Sequence, residues 1–236
     1  MTETLISTSD IQLPGGIRQF KHLLELKPIP SNRALIIGTG CESVAKSLLN
    51  YYEDVSIITD DYNSLMHSRL KLRDENKVKV KIMEYSHTDF SDEYFNLIYA
   101  QGSLTVPARK NIIKEIKRIL SSDGLLCVGE IVALKKPVPT FVQNIWERNG
   151  LEPLTYSQII NFYSGSGLEI VSERDLTNTL KKYYKNILNI FSSSSKSQIE
   201  ENKKYFSRIK HESTAYLKSG GDKYIGFKSI ILRKLN

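Results

Sequence analysis

The sequence predicts a doubly wound α/β fold: a mainly parallel sheet, helices on both faces and an antiparallel last strand. Three observations carry this expectation. From residue 34 onward, short apolar runs alternate with helix-period segments, and repeated strand–helix alternation implies parallel strands joined by crossover helices. Several runs are apolar throughout, as strands covered by helices on both faces should be. The closing run, Tyr224 to Arg233, alternates better, which suits an antiparallel strand near an edge.

Taken in order, residues 10–30 form a lead-in. An amphipathic helix carries Phe20, Leu23, Leu24 and Leu26, and Pro28 and Pro30 stop it before the first strand. Pro14-Gly15-Gly16 gives this helix a flexible entry, so that residues 1–30 read as a lid over a crevice, against the alternative that they only cover the sheet. Strands follow at 34–37, 55–58, 79–83, 95–99 and 125–129, short and rich in β-branched or aliphatic residues. The clearest helix spans 108–120, with Ile112, Ile113, Ile116, Ile119 and Leu120 on one face and lysines on the other. Ser121-Ser122-Asp123-Gly124 ends it and turns the chain into the next strand. A further strand is expected at 168–173, then two long helices, about 176–191 and 196–218, broken by Ser192–Ser195. Within 138–218 the helices read as a cap on the main unit, 31–236, with Phe141, Trp146, Leu151 and Tyr156 offering a pocket wall.

The 236 residues fit one large domain, and 40% hydrophobic with 25% charged residues is the balance of a globular protein. No apolar run reaches the roughly 18–20 residues of a membrane span, and the first residues lack a basic flank leading into an apolar stretch, so a cytoplasmic location is expected. Cys41 and Cys127 lie far apart, and no CxxC or His/Glu cluster suggests a metal. The net charge of +7 is spread along polar helix faces beside acids. A solvated basic surface is therefore expected rather than a nucleic-acid footprint.

The strongest local feature is ALIIGTGCES, residues 34–43, where a buried strand runs into Gly38-Thr39-Gly40 and a helix follows. Glycines there let a ligand lie against bare backbone at the carboxyl end of the first strand, although many βα turns need glycine for geometry alone. Twenty-two residues after Gly38 the second strand ends in Asp60-Asp61. One acid so placed can accept both hydroxyls of a ribose, and one can cap the following helix. Asp60, directly after the strand, is the preferred ribose ligand.

Together, LIIGTGCESVAKSLL, VSIITDDYNSLMHSRLKL and TDFSDEYFNLIYAQGSL with its following helix resemble the class I S-adenosylmethionine (SAM)-dependent methyltransferases, in particular the ubiquinone and menaquinone biosynthesis branch. Phe90, Asp92, Phe95, Glu115, Arg118, Leu120 and Gly124 occupy the places of the family phrase "F-x-D-x-x-F-D-x-V" and of its helix ending "E-I-x-R-V-L" with the glycine turn. The resemblance covers about residues 12–176. It implies a seven-stranded Rossmann-like sheet and SAM as cofactor. Gly38, Thr39 and Gly40 would lie against methionine and ribose, and Asp60 would hold the ribose. Glu84 and Tyr85 would flank the adenine, unless they are simply an exposed loop pair. Gln101 and Gly102 would stand at the crevice mouth.

Two positions depart from the pattern. Ile36 replaces the acid two places before the first glycine, and Glu42 replaces the third glycine. Glu42 is expected to bring a carboxylate to the cofactor's cationic groups. Glu130, at the end of the fifth strand, is the acid in reach for catalysis, its alternative being a cap; no residue is forced to be a base. His67 reads as structural or exposed, and Tyr183 and Tyr184 as pocket or core. After strand four the chain reads AQGSL rather than Asn/Asp-Pro-Pro-aromatic, which favours a small-molecule or lipid-like acceptor over a nucleic acid. A non-catalytic SAM-binding or interaction protein and an NAD-dependent oxidoreductase are the rival readings, the latter because a glycine turn followed by an acid also serves nicotinamide cofactors.

Overall fold

The computed structural model describes residues 13–27, 31–193 and 203–235. Five parallel strands come first: β1 (Ser31–Ile37), β2 (Tyr52–Thr59), β3 (Val78–Ile82), β4 (Phe95–Gln101) and β5 (Leu120–Ala133). Between them run α1 (Ile17–Leu24) before β1, α2 (Glu42–Leu48), α3 (Tyr62–Lys71) and α4 (Arg109–Ile119). After β5 come α5 (Thr140–Arg148), β6 (Leu154–Thr155), α6 (Tyr156–Gly165), β7 (Leu168–Asp175), α7 (Leu180–Ser193), α8 (Lys203–Lys218) and β8 (Ile225–Lys234). The sheet order is β3-β2-β1-β4-β5-β8-β7, with the two-residue β6 beside β5.

The apolar runs split by the strand's period of two. Ala34 and Ile36 of β1, Leu97 and Tyr99 of β4, and Cys127 of β5 face one side, where Phe20 and Leu23 of α1 and Val44, Ala45 and Leu48 of α2 meet them. Leu35, Ile37, Ile98, Ala100, Leu126 and Val128 face the other, under Ile112, Ile113, Ile116 and Ile119 of α4 and Ile159 and Tyr163 of α6. Both faces are buried, so the strands carry no polar alternation. Full burial of each such aliphatic side chain contributes about 1.5–3 kcal/mol.

The last strand lies near an edge, as its alternation suggests: β8 sits between β5 and the edge strand β7, antiparallel to both, and is buried along most of its length. Two expectations are corrected. The Ser121–Gly124 turn does not separate α4 from β5; it bulges within β5, where pairing jumps from Phe95↔Leu120 to Leu97↔Leu125 and Asp123 sits at φ +63°. Tyr156 belongs with α6 against the α4 face, not with the cap. The cap itself is α5, α7 and α8, which bury Val142, Ile145, Trp146, Leu180, Tyr184 and Tyr216 with Ile131 of β5 and Phe227 of β8, and Phe141 and Leu151 pack against this cluster.

The lead-in is tied down rather than loosely hinged. Gly15 passes so close to Phe227 that an added Cβ would come within 2.4 Å of the ring, and its N–H donates to Thr179 Oγ1 at 3.2 Å. Gln19, fully buried, donates to the Ala100 carbonyl at 3.0 Å. Residues 1–12, Pro28, Pro30 and Ser194–Ser195, on which other expectations rest, lie outside the described residues. Among the described residues no helix is long and apolar enough to cross a membrane.

Candidate functional site

The carboxyl ends of β1, β2 and β4 meet at one edge, where a parallel sheet leaves a crevice. Gly38 and Gly40 adopt φ +100° and +83°, a region open to glycine at no steric cost. Thr39 lies between them. Gly38 N–H donates to Ile58 O at 2.9 Å, fixing the turn to β2. Ser103 lies over Gly38 and donates to Ile37 O at 2.7 Å, while the Leu13 side chain lies over Gly40.

The two acids after β2 divide their work. Asp61 caps α3, its carboxylate accepting from Ser64 N–H at 2.9 Å, which holds its pKa below the usual range. One of its oxygens is thus engaged by the helix terminus. Asp60 stays exposed, with the Tyr85 hydroxyl donating to it at 3.3 Å. Burial, then the Asp60 charge, push the Tyr85 phenol well above its ordinary pKa, so it remains a donor. The structure therefore brings Asp60 and Tyr85 together across the ends of β2 and β3. Glu84 is exposed one residue away and accepts from the Ser86 hydroxyl.

Other expected site residues turn away. Glu42 is buried, accepting from Gly40 N–H at 3.2 Å, from Ser68 Oγ at 2.7 Å and from Lys71 Nζ at 3.5 Å. Burial raises its pKa, but these bonds outweigh it and the net shift is downward. Its charge is engaged beneath the turn by α3 and by the turn's own Gly40 N–H. Gln101 is buried too: its amide donates to Pro14 O at 2.8 Å and Gly16 O at 3.0 Å, and its carbonyl accepts from Tyr99 OH at 2.7 Å. It latches the lead-in. Gly102, at φ +75°, has open space where a side chain would be.

Glu130 is not at the end of its strand and does not face the crevice. It is fully buried within β5, accepting from Thr105 Oγ1 and from Tyr163 OH at 2.5 Å, with Arg109 Nε at 3.3 Å. A carboxylate with its lone pairs satisfied this deep is a structural anchor for α4 and α6. His67 is exposed on α3 and Tyr184 is core, stacked on Tyr216 at 4.4 Å between centroids.

The most specific stretch of the sequence builds a clamp. Arg118 donates to Glu115 at 2.6 and 2.9 Å and to Asp92 at 2.7 Å, and Thr88 donates to Glu115 through N–H and hydroxyl at 2.8 and 2.6 Å. Burial pushes Glu115 up, yet its bonds from Arg118 and Thr88 prevail and bring its pKa to about 2. Phe90 meets Phe95 edge-on at 4.7 Å. These residues fix the loop after β3 onto α4 and so position Glu84 and Tyr85.

Sequence reasoning did not single out Leu13 or Ser103, which cover the glycine turn, nor the cations Arg18, Lys21 and Lys182. The last three, with Asn178 and Ile187, line a cavity of about 410 Å³ between α1 and α7. Their only signals were the polar face of the lead-in helix, for Arg18 and Lys21, and the basic stretch KKYYKN, for Lys182. Among the described residues no group of three or more His, Cys, Asp or Glu is placed to hold a metal.

Residues 35–128 match a family described as a methyltransferase domain. A curated protein of Haemophilus influenzae, described as uncharacterized, is 26% identical over 137 residues; the match covers 56% of this chain and 51% of that protein, so the chain spans about half the length of this relative. Among solved structures, the [4+2]-cyclase SpnF aligns with a TM-score of 0.76 at 16% identity, over 92% of this chain and 80% of that one. Phosphoethanolamine N-methyltransferase 2 of Haemonchus contortus, in complex with S-adenosyl-L-methionine, aligns with a TM-score of 0.77 at 13% identity, over 95% of this chain and 54% of that one. The match is to the domain as a whole rather than to the quinone-biosynthesis branch. Over residues 35–128 the chain thus resembles a methyltransferase domain, and its fold is shared with a SAM-bound methyltransferase.

Proposed function

We propose that the chain is a cytosolic methyltransferase that uses SAM and acts on a small-molecule or lipid-like acceptor rather than a nucleic acid. The observation that carries this reading is Asp60: an exposed carboxylate at the end of β2, relieved of capping by Asp61 and standing beside the Tyr85 hydroxyl. A carboxylate with free acceptor sites suits a pair of ribose hydroxyls. The residues present fit the cofactor in three further ways. Gly38, Thr39 and Gly40 offer bare backbone to its ribose and methionine parts, Tyr85 and Glu84 would flank the adenine, and the space over Gly102 is open.

SAM, when bound, supplies a methyl group already activated on its sulfonium. What the chain adds is alignment and the exclusion of water. In this reading the described part of the lead-in, residues 13–27, and the cap helices α5, α7 and α8 stand over the crevice and select the acceptor. Gln101 takes part from behind, by holding the lead-in turn against the crevice.

Isothermal titration with SAM, S-adenosylhomocysteine and NAD tests the reading. Binding of both adenosyl ligands is expected. No binding at millimolar ligand would refute it, and NAD binding in their place would favour an oxidoreductase. The likeness to a [4+2]-cyclase favours a second reading, since one fold carries unrelated chemistries. Under it the chain binds the adenosyl ligands but transfers no methyl group to any acceptor offered in a small-molecule panel.

A further inference from the structure

The cavity between α1 and α7 has a composition that the fold does not explain. Arg18 and Lys21 on α1 and Lys182 on α7 are exposed along its walls, with Ile17, Ile187 and Leu13 supplying apolar surface. Arg18 donates to Asn178 Oδ1 at 3.0 Å, and none of the three cations forms an ion pair with a carboxylate among the described residues. Several basic residues elsewhere are paired with acids, as Lys71 is with Glu42, Arg118 with Glu115 and Asp92, Arg174 with Glu25 and Lys234 with Glu93; what sets these three apart is that they line one concavity together. Three like charges converging on one concavity repel one another, and an anion placed among them relieves that repulsion. The volume, about 410 Å³, is within the range of small-ligand sites.

Position gives the cavity a second meaning. Leu13 lines it and also lies over Gly40, and Gly15 and Gly16 form the wall whose carbonyl neighbours are held by Gln101. One turn of the lead-in thus separates the cavity from the glycine turn of the crevice.

We infer that this cavity is the acceptor site and that it takes a small amphipathic anion, with a carboxylate or phosphate head held by Arg18, Lys21 and Lys182 and an apolar body against Leu13, Ile17 and Ile187. The inference rests on the methyl-transfer reading for the word acceptor, but not for the binding itself.

The full chain is titrated with decanoate, decyl phosphate, decanol and decyltrimethylammonium below their micellar concentrations, with and without saturating S-adenosylhomocysteine. Decanoate or decyl phosphate is expected to bind, and the stronger of the two identifies the head group. Lys21→Glu with Lys182→Glu, both exposed and outside the crevice, should weaken that binding by about tenfold or more. The double variant should keep the wild-type melting temperature and S-adenosylhomocysteine affinity. Decanol binding as tightly as the anions, or anion binding unchanged in the variant, overturns the site. Mutually exclusive binding of anion and S-adenosylhomocysteine overturns its assignment to the acceptor, since both must be held at once. If the anions bind and the adenosyl ligands do not, the methyl-transfer reading fails while the anion site stands.

Discussion

The loop after β2 and the clamp on α4 are both made of residues that stand out in the sequence, yet they dispose of their polar groups in opposite ways. In the clamp, Glu115 accepts from Thr88 and Arg118, and Arg118 reaches on to Asp92. In the loop, both acids are exposed, but Asp61 caps α3 while Asp60, among the described residues, meets only the Tyr85 hydroxyl. A carboxylate offers about four acceptor sites. Where they are filled within the chain the residue builds; where they stay open beside a crevice the residue can bind. Glu42, Gln101 and Glu130 fall on the clamp's side of this division, although each was a candidate for the site.

The largest effect expected from this contrast is at Glu130. Replacing it with alanine leaves Arg109 buried without its carboxylate and strips Tyr163 and Thr105 of an acceptor. Breaking such a buried pair costs about 3–5 kcal/mol. Urea denaturation of Glu130→Ala checks this. Unchanged stability combined with lost turnover would return Glu130 to the reaction.

Glu115→Ala is next, with a stability loss of about 2–3 kcal/mol near neutral pH and no change in S-adenosylhomocysteine affinity. Its folded pKa of about 2 lies below the ordinary 4.5, so its contribution is complete above pH 4.5 and is lost as pH falls toward 2. Urea midpoints across that range should slope less in the variant than in the wild type.

The smallest effect is at His22, whose ring nitrogens lie 2.8 Å from Ser229 Oγ and Ser172 Oγ. Burial, reinforced by Arg174, lowers its pKa from 6.5. Below pH 6.5 the unfolded chain therefore takes up a proton that the folded chain resists, and stability falls as pH drops through that region. Thermal melts of His22→Gln should lack this part of the slope; an identical slope would mean that the folded ring protonates freely.

Much of the fold was legible because the central strands are buried on both faces, so that ALII and FNLIY could be read from composition alone. The place of β8 was legible only as antiparallel and near an edge. Nothing in a period of two says that β7 pairs outside it and takes the edge. At the site, the pairing of Asp60 and Asp61 with ribose and cap was visible as two tasks for two adjacent acids, and the capping half is now seen at Ser64. The internal anchoring of Glu42 and Gln101 was not legible, because Ser68 and the Pro14 and Gly16 carbonyls stand 26 to 87 positions away. Hydrogen bonds at that separation leave no local pattern. The contact of Gly15 with Phe227 was illegible likewise, because Phe227 is over two hundred residues downstream.

Asp60 and Asp61 offer the most direct test of the division between binding and building. Asp60→Ala and Asp61→Ala are each titrated with S-adenosylhomocysteine and melted without it. Loss of two hydrogen bonds to a charged acceptor should weaken ligand binding to Asp60→Ala by about 1.5–3 kcal/mol, with the melting temperature unchanged. Asp61→Ala should do the reverse, losing about 1 kcal/mol of stability through the missing cap and keeping its affinity. Unchanged affinity in a folded Asp60→Ala, with the loss appearing in Asp61→Ala instead, would contradict the account.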